Sequence, residues 1–174
     1  TIELERVATL PAPTCAGLVQ EAESGTIRGN WAVGDDAAAS GGKYIHAPEG
    51  SGNFWNGATA AHKASYCFNI ETAGTYRIQG KVYGGDTFSD SFYVQVDGSP
   101  AGGYLWDILP NTTYASDLVN DRGVADPVEV ELFPGHYLVN VFVREDGARL
   151  DTLELRYVES VTPPTAVCAG LTQE

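Results

Sequence analysis

Apolar and polar positions alternate along most of this chain. Tyr66, Phe68 and Ile70 form the apolar set between Ala64 and Ile70, and Tyr76, Ile78 and Val82 the set between Gly74 and Tyr83. Phe92, Val94 and Val96 do the same from Ser91 to Val96. Val128, Val130 and Leu132 make a further face, and after Pro134-Gly135 come Tyr137, Val139, Val141 and Val143. A period of two puts each set on one side of a half-buried strand. Asp97-Gly98 and Pro134-Gly135 supply turns between the runs. No window carries a convincing helical period. Short strands punctuated by Gly, Pro and Asp predict an all-β sandwich and argue against a parallel sheet.

The run His136 to Val143 ends at a charged turn, Arg144 to Arg149, with Gly147 at its tip; a second run leaves with Leu153, Leu155 and Tyr157 on one face. This is a predicted hairpin. Asp151 opens its second strand, where an unpaired carboxylate is costly once buried. Far upstream, Gln20-Glu21-Ala22-Glu23, read as a strand, puts Glu21 and Glu23 on one face. Three converging carboxylates repel one another unless a cation joins them, and calcium takes six to eight oxygen ligands, backbone carbonyls included.

A first strand reading Glu21-Ala22-Glu23, a following Ser40-Gly41-Gly42-Lys43-Tyr44-Ile45 segment and a closing turn with Leu150-Asp151 before the last strand, in that order and spacing, resemble family 6 and family 35 carbohydrate-binding modules. The likeness covers roughly Cys15 to Val158. It implies a jelly-roll β-sandwich with a structural calcium between first and last strands, and sugar bound at loops or on a sheet face. Carried over residue by residue, it implies that Glu21, Glu23, the carbonyls of Ser40 and Lys43, and Asp151 hold the ion.

At 174 residues, 43% hydrophobic and 19% charged, the chain suits one globular domain. The net charge of −13 argues against nucleic acid. No apolar run approaches the length of a membrane span, and no signal-peptide pattern is present. The start at Thr1 and the lack of Met predict a processed or excised piece. Cys15-Ala16-Gly17-Leu18-Val19-Gln20-Glu21 recurs as Cys168-Ala169-Gly170-Leu171-Thr172-Gln173-Glu174, and Thr1-Ile2-Glu3-Leu4 echoes Thr152-Leu153-Glu154-Leu155. The chain therefore reads as the end of a preceding repeat with a linker (1–13), one whole module (14–158), and a linker with the start of the next repeat (159–174). On that reading Cys15 pairs with Cys67 and Cys168 belongs to the following copy. The other reading of the three cysteines is as small buried hydrophobes.

Sugar recognition needs flat rings to cover the apolar face of a pyranose, with polar groups beside them for its hydroxyls. Trp106, preceded by Tyr104, is the first candidate, although a core tryptophan with an internally bonded N–H fits the sequence equally well. Trp55 and Phe54 are the second, because adjacent aromatics in a Gly-rich loop cannot both face a core. Arg144, Glu145 and Asp146 are the polar candidates. The resembling modules often place an Asn at that turn; acidic residues there point away from neutral xylan-like ligands and toward cationic or calcium-bridged sugars. His46, His62 and His136 lack metal-ligand spacing. No nucleophile elbow, phosphate loop or dinucleotide fingerprint is present. Once Glu21, Glu23 and Asp151 are assigned to an ion, no carboxylate pair stands out for glycoside hydrolysis.

The expected function is thus a non-catalytic, calcium-stabilised module, secreted or on a cell surface, that anchors a larger enzyme or adhesin to polysaccharide, with neighbouring repeats as further partners. The alternative is a structural repeat of a stalk, sheath or filament. There, the strand-like Thr1 to Val7 would add to a neighbour's sheet edge.

Overall fold

A computed structural model describes residues 15–162. The segments 1–14 and 163–174, and with them the repeated Thr1-Ile2-Glu3-Leu4 and the Cys168 heptad, lie outside the described residues.

The strands are β1 (Val19–Glu21), β2 (Thr26–Ile27), β3 (Ala32–Asp35), β4 (Lys43–His46), β5 (Lys63–Ile70) and β6 (Gly74–Tyr83). They continue with β7 (Ser91–Val96), β8 (Ser99–Asp107), β9 (Ala115–Leu118), β10 (Glu129–Leu132), β11 (Gly135–Val143) and β12 (Arg149–Ser160). One sheet runs β10-β6-β12-β4-β3, with β1 beside β12 and β9 beside β6; the other runs β2-β5-β11-β7-β8. All these pairings are antiparallel. The alternation read from sequence becomes the core: Tyr66, Phe68, Ile78, Val82, Phe92, Val94, Val139, Val141, Leu153 and Leu155 are buried. β6 and β7 begin and end where the pattern predicts. Asp97 and Gly98, both at positive φ, make the two-residue turn from β7 to β8, which matches the twist of a hairpin.

Several expectations change. Glu21 and Glu23 do not share a strand face, because β1 ends at Glu21 and residues Ala22–Ser24 form a single 3-10 turn. Trp106 lies on a strand, β8, and is fully buried at 0% exposure. Its indole reaches across to the opposite sheet over Gly80 of β6, where an added Cβ would come within 2.4 Å of the ring. Only a glycine there lets the two sheets close on so large a side chain.

Cys15 and Cys67 are disulfide-bonded, tying the segment before β1 to β5. The amides and carbonyls beside them reinforce the tie: the Ala16 N–H bonds to the Cys67 carbonyl, 3.1 Å, and the Asn69 N–H to the Ala16 carbonyl, 3.0 Å. Closing a loop of this length restricts the unfolded chain far more than the folded one.

Candidate functional site

Two constellations emerge, one at each of the places that the sequence marked. The first is built around Asp151. A bulge in β12 between Leu150 and Thr152 turns Asp151 inward together with Leu150, so that the carboxylate is 0% exposed. Its Oδ1 accepts the Ser40 N–H at 2.8 Å, and the Lys81 Nζ of β6 stands 2.9 Å from Oδ2. The Ser40 hydroxyl donates to Glu21 Oε1, 2.8 Å. The Glu23 carboxylate lies over Gly41, 3.6 Å from where a Cβ would stand. Thus Ser40 links Glu21 to Asp151, with Glu23 beside the adjoining Gly41.

These carboxylates do not close on one point; among the described residues no three His, Cys, Asp or Glu side chains form a ready ligand cluster. Yet Glu21 Oε2 and Glu23 Oε2 are buried without a hydrogen-bond donor, and Asp151 Oδ2, also without a hydrogen bond, has the Lys81 ammonium as its ion-pair partner. Buried oxygens without donors are costly, and hard oxygens of this kind suit a hard cation. The donor set therefore fits calcium. Lys43, the other residue that the resemblance implied, directs its ammonium to Asp35 at 2.6 Å. Any part that it plays is left to its carbonyl. Burial, helped by Glu23, pushes the Tyr66 hydroxyl far up, so it stays protonated and donates to the Ala22 carbonyl at 2.9 Å beside this pocket.

The second constellation is at the end of the sandwich, where the 47–62 loop folds over the β11–β12 turn. The Phe54 N–H bonds to the Arg144 carbonyl at 2.7 Å, the Gly52 N–H to Asp146 Oδ2 at 2.8 Å, and the Asp146 N–H to Asn53 Oδ1 at 2.9 Å. The Tyr93 hydroxyl holds the Trp55 carbonyl, 3.2 Å. With its backbone pinned in this way, the loop turns its two aromatics in opposite directions. Phe54 stacks on His62 with ring centroids 4.2 Å apart, whereas Trp55 is 56% exposed. The Arg144 guanidinium carbon sits 4.6 Å from the Trp55 ring centroid. A desolvated cation beneath an indole is a favourable stack, and it fixes a flat ring on the surface.

Arg144, Glu145 and Asp146, expected as polar groups for a ligand, are buried. Arg144 Nη1 donates to Glu145 Oε1 at 2.7 Å and to the Ser91 hydroxyl, which itself donates to Glu145 Oε2. The Asp90 N–H adds a bond to Glu145 Oε2, 3.2 Å. These charges engage one another and the covering loop, so they do not present an acidic face to a ligand. Trp106 leaves the candidate site as well: it packs on Phe92, 5.7 Å between centroids, and its Nε1–H donates to Asp117 Oδ2 at 2.7 Å. Tyr104 is half-buried against the core and lines a separate cleft of about 360 Å³ with Asp97, Glu129 and Tyr137.

Asp90 is the member of this end that the sequence did not single out. Its carboxyl is pushed up to about 6, chiefly by burial, then by a hydrogen bond and charge repulsion from Glu145, with Asp107 adding and Arg122 opposing. Arg122 is itself held by Asp107. The Asp90 and Glu145 carboxyl groups are in direct contact, closer than the separation that either form of glycoside hydrolysis uses. Because the folded carboxyl binds its proton more tightly than the unfolded one, stability declines as pH rises from about 4 to about 6. Asp90→Asn is expected to raise the melting temperature by roughly 2–4 °C at pH 7.5 after allowance for solvent screening. The gain should vanish below pH ~4. A constant gain at every pH would show that Asp90 does not hold this proton.

No protein-family profile matches the chain, and no curated protein matches it. Solved structures do. A family 35 carbohydrate-binding module from Clostridium thermocellum superposes with a TM-score of 0.58 at 22% identity, over 79% of this chain and 97% of that one. The fold is that of a carbohydrate-binding module. A module of a Cellvibrio mixtus lichenase in complex with cellotriose gives a TM-score of 0.56 at 14% identity, covering 81% of this chain and 97% of its own. A β-(1,4)-mannanase from Podospora anserina that includes a family 35 module gives 0.61 at 12% identity, with 84% of this chain matched to 28% of the enzyme. The all-β sandwich and the match to family 35 and family 6 folds are as the sequence implied.

Proposed function

We propose that this chain is a non-catalytic carbohydrate-binding module whose ligand stacks on Trp55. One observation carries the reading: a large aromatic ring, 56% exposed, is held on a pinned loop with a buried Arg144 at its back. A ring held flat and backed by a cation in this way makes a fixed apolar platform, and a pyranose face is a ligand that fits it. Calcium at Glu21, Glu23, Asp151 and the Ser40 and Lys43 carbonyls would join the segment after β1 to β12, a stabilising rather than a sugar-contacting role. The Cys15–Cys67 disulfide suits an oxidising compartment, in keeping with an extracellular module that anchors a larger protein to polysaccharide, one unit of a tandem array. The reading as a structural repeat depends on Thr1 to Val7, outside the described residues, and no observation favours it.

The test is affinity electrophoresis through gels loaded with neutral, acidic and amino-sugar polysaccharides. One class should retard the protein, and Trp55→Ala should weaken that retardation tenfold or more, about 1.4 kcal/mol or above, with an unchanged melting curve. No retardation by any class, or retardation that survives Trp55→Ala, would reject the platform.

A further inference from the structure

The three acidic side chains at the β12 bulge do not face a cation pocket of charge −3. Lys81 reaches in from β6, where it lies opposite Thr152, and puts its ammonium 2.9 Å from Asp151 Oδ2. The other cations nearby are committed elsewhere: Lys43 to Asp35 at 2.6 Å, and Arg149 to Asp36 at 3.4 Å and to the rings of Tyr44 and Tyr83 at 4.8 and 4.6 Å. Lys81 therefore stands as the internal counter-charge, and Glu21, Glu23 and Asp151 together with it carry a net charge of about −2, the complement of one divalent cation. Its position also bears on geometry. Asp151 Oδ1 is taken by the Ser40 N–H, so Oδ2, the oxygen left for an ion, is the one that Lys81 approaches.

We infer that Lys81 sets the strength of this pocket for calcium. The ammonium and the ion draw on the same carboxylate oxygen, so the ion has to share Asp151 with Lys81 or displace it. Lys81 is well placed to yield, since its side chain is 35% exposed and its long stem carries the charge back toward solvent past the Tyr114 ring, 5.8 Å from Nζ. With the lysine in place, Asp151 is compensated even without calcium. The module then does not need calcium in order to fold, and its affinity for the ion is held down. This inference rests on the reading of Glu21, Glu23 and Asp151 as a calcium site.

Lys81→Met, which keeps the stem and deletes the charge, separates the two claims. Chelator-stripped wild-type and variant proteins are titrated with calcium chloride by calorimetry and melted in chelator and in saturating calcium. The variant should bind calcium roughly tenfold more tightly, because one positive charge near the ion is gone. It should melt lower than wild type in chelator and show a larger rise on adding calcium. Lys81→Arg, which retains the charge, should stay within about threefold of the wild-type affinity. A Lys81→Met protein that folds only when calcium is added would support the inference in stronger form. Equal calcium affinities in wild type and Lys81→Met would overturn the role of Lys81 while leaving the calcium site standing. Absence of calcium binding by both proteins would overturn the site itself, and the inference with it.

Discussion

Trp106→Ala is expected to cost about 3–5 kcal/mol of folding stability, a fall of roughly 10–15 °C in melting temperature for a domain of this size. The indole is fully buried, packs on Phe92, and fills the space over Gly80 where the two sheets meet. Removing it opens a cavity in a core whose opposite wall is a glycine and cannot supply a replacement side chain. The loss does not stop at packing. Asp117 has its carboxyl pushed up by burial and held back by the Trp106 N–H, so the variant strands a partly desolvated carboxylate. At a temperature where the variant is still folded, its retardation by polysaccharide should equal that of wild type. Loss of binding in a folded Trp106→Ala protein, or a melting point within ~2 °C of wild type, would refute the assignment of Trp106 to the core.

The different fates of the tryptophans show what the sequence could and could not convey. Period-two alternation located β5, β6, β7 and β11 because both the inward and outward positions of those strands follow one rule. β8 escaped it: Ser99-Pro100-Ala101-Gly102-Gly103 carries no large apolar side chain, since this edge strand pairs only with β7 and most of its residues stay partly exposed. Without the strand, Trp106 read as easily as a surface ring as a core one. Trp55 was better placed from sequence, because two adjacent aromatics must diverge. What could not be read was the 47–62 loop closing over the Arg144-Glu145-Asp146 turn, which converts three charged side chains into a buried network. The same holds for Asp90, which meets Glu145 across a separation of 55 residues. In the other constellation the residue types were legible, while the 3-10 turn after β1 and the approach of Lys81 were not. These depend on how β1, β6 and the β12 bulge pack, and no local pattern encodes that.

Arg144→Met is expected to be nearly as damaging as the loss of Trp106, at about 3–5 kcal/mol, because it leaves the buried Glu145 charge without its cation. The Ser91 hydroxyl and the Asp90 N–H remain as donors, but Asp90 is itself acidic and its carboxyl contacts Glu145. In the variant the two carboxyls face each other, and Arg122, which opposes the rise at Asp90, is already bound to Asp107. The folded state should then relieve the repulsion by taking up a proton. A carboxyl whose folded proton affinity is raised destabilises the fold above its folded pKa, and that deficit shrinks as pH falls toward the unfolded value. The deficit of Arg144→Met relative to wild type should therefore be largest near pH 8 and smaller near pH 5. Ligand binding should fall too, since the Trp55 ring loses the guanidinium that backs it. The double variant Arg144→Met/Glu145→Gln removes both charges at once and is expected to recover most of the lost stability, because a neutral pair carries little desolvation penalty. It should not recover the binding, since Trp55 still lacks its cation. If single and double variants melt together at every pH, the Arg144–Glu145 pair is not what holds this end of the sandwich. If the double variant regains both stability and retardation, Arg144 supports the loop without preparing the platform.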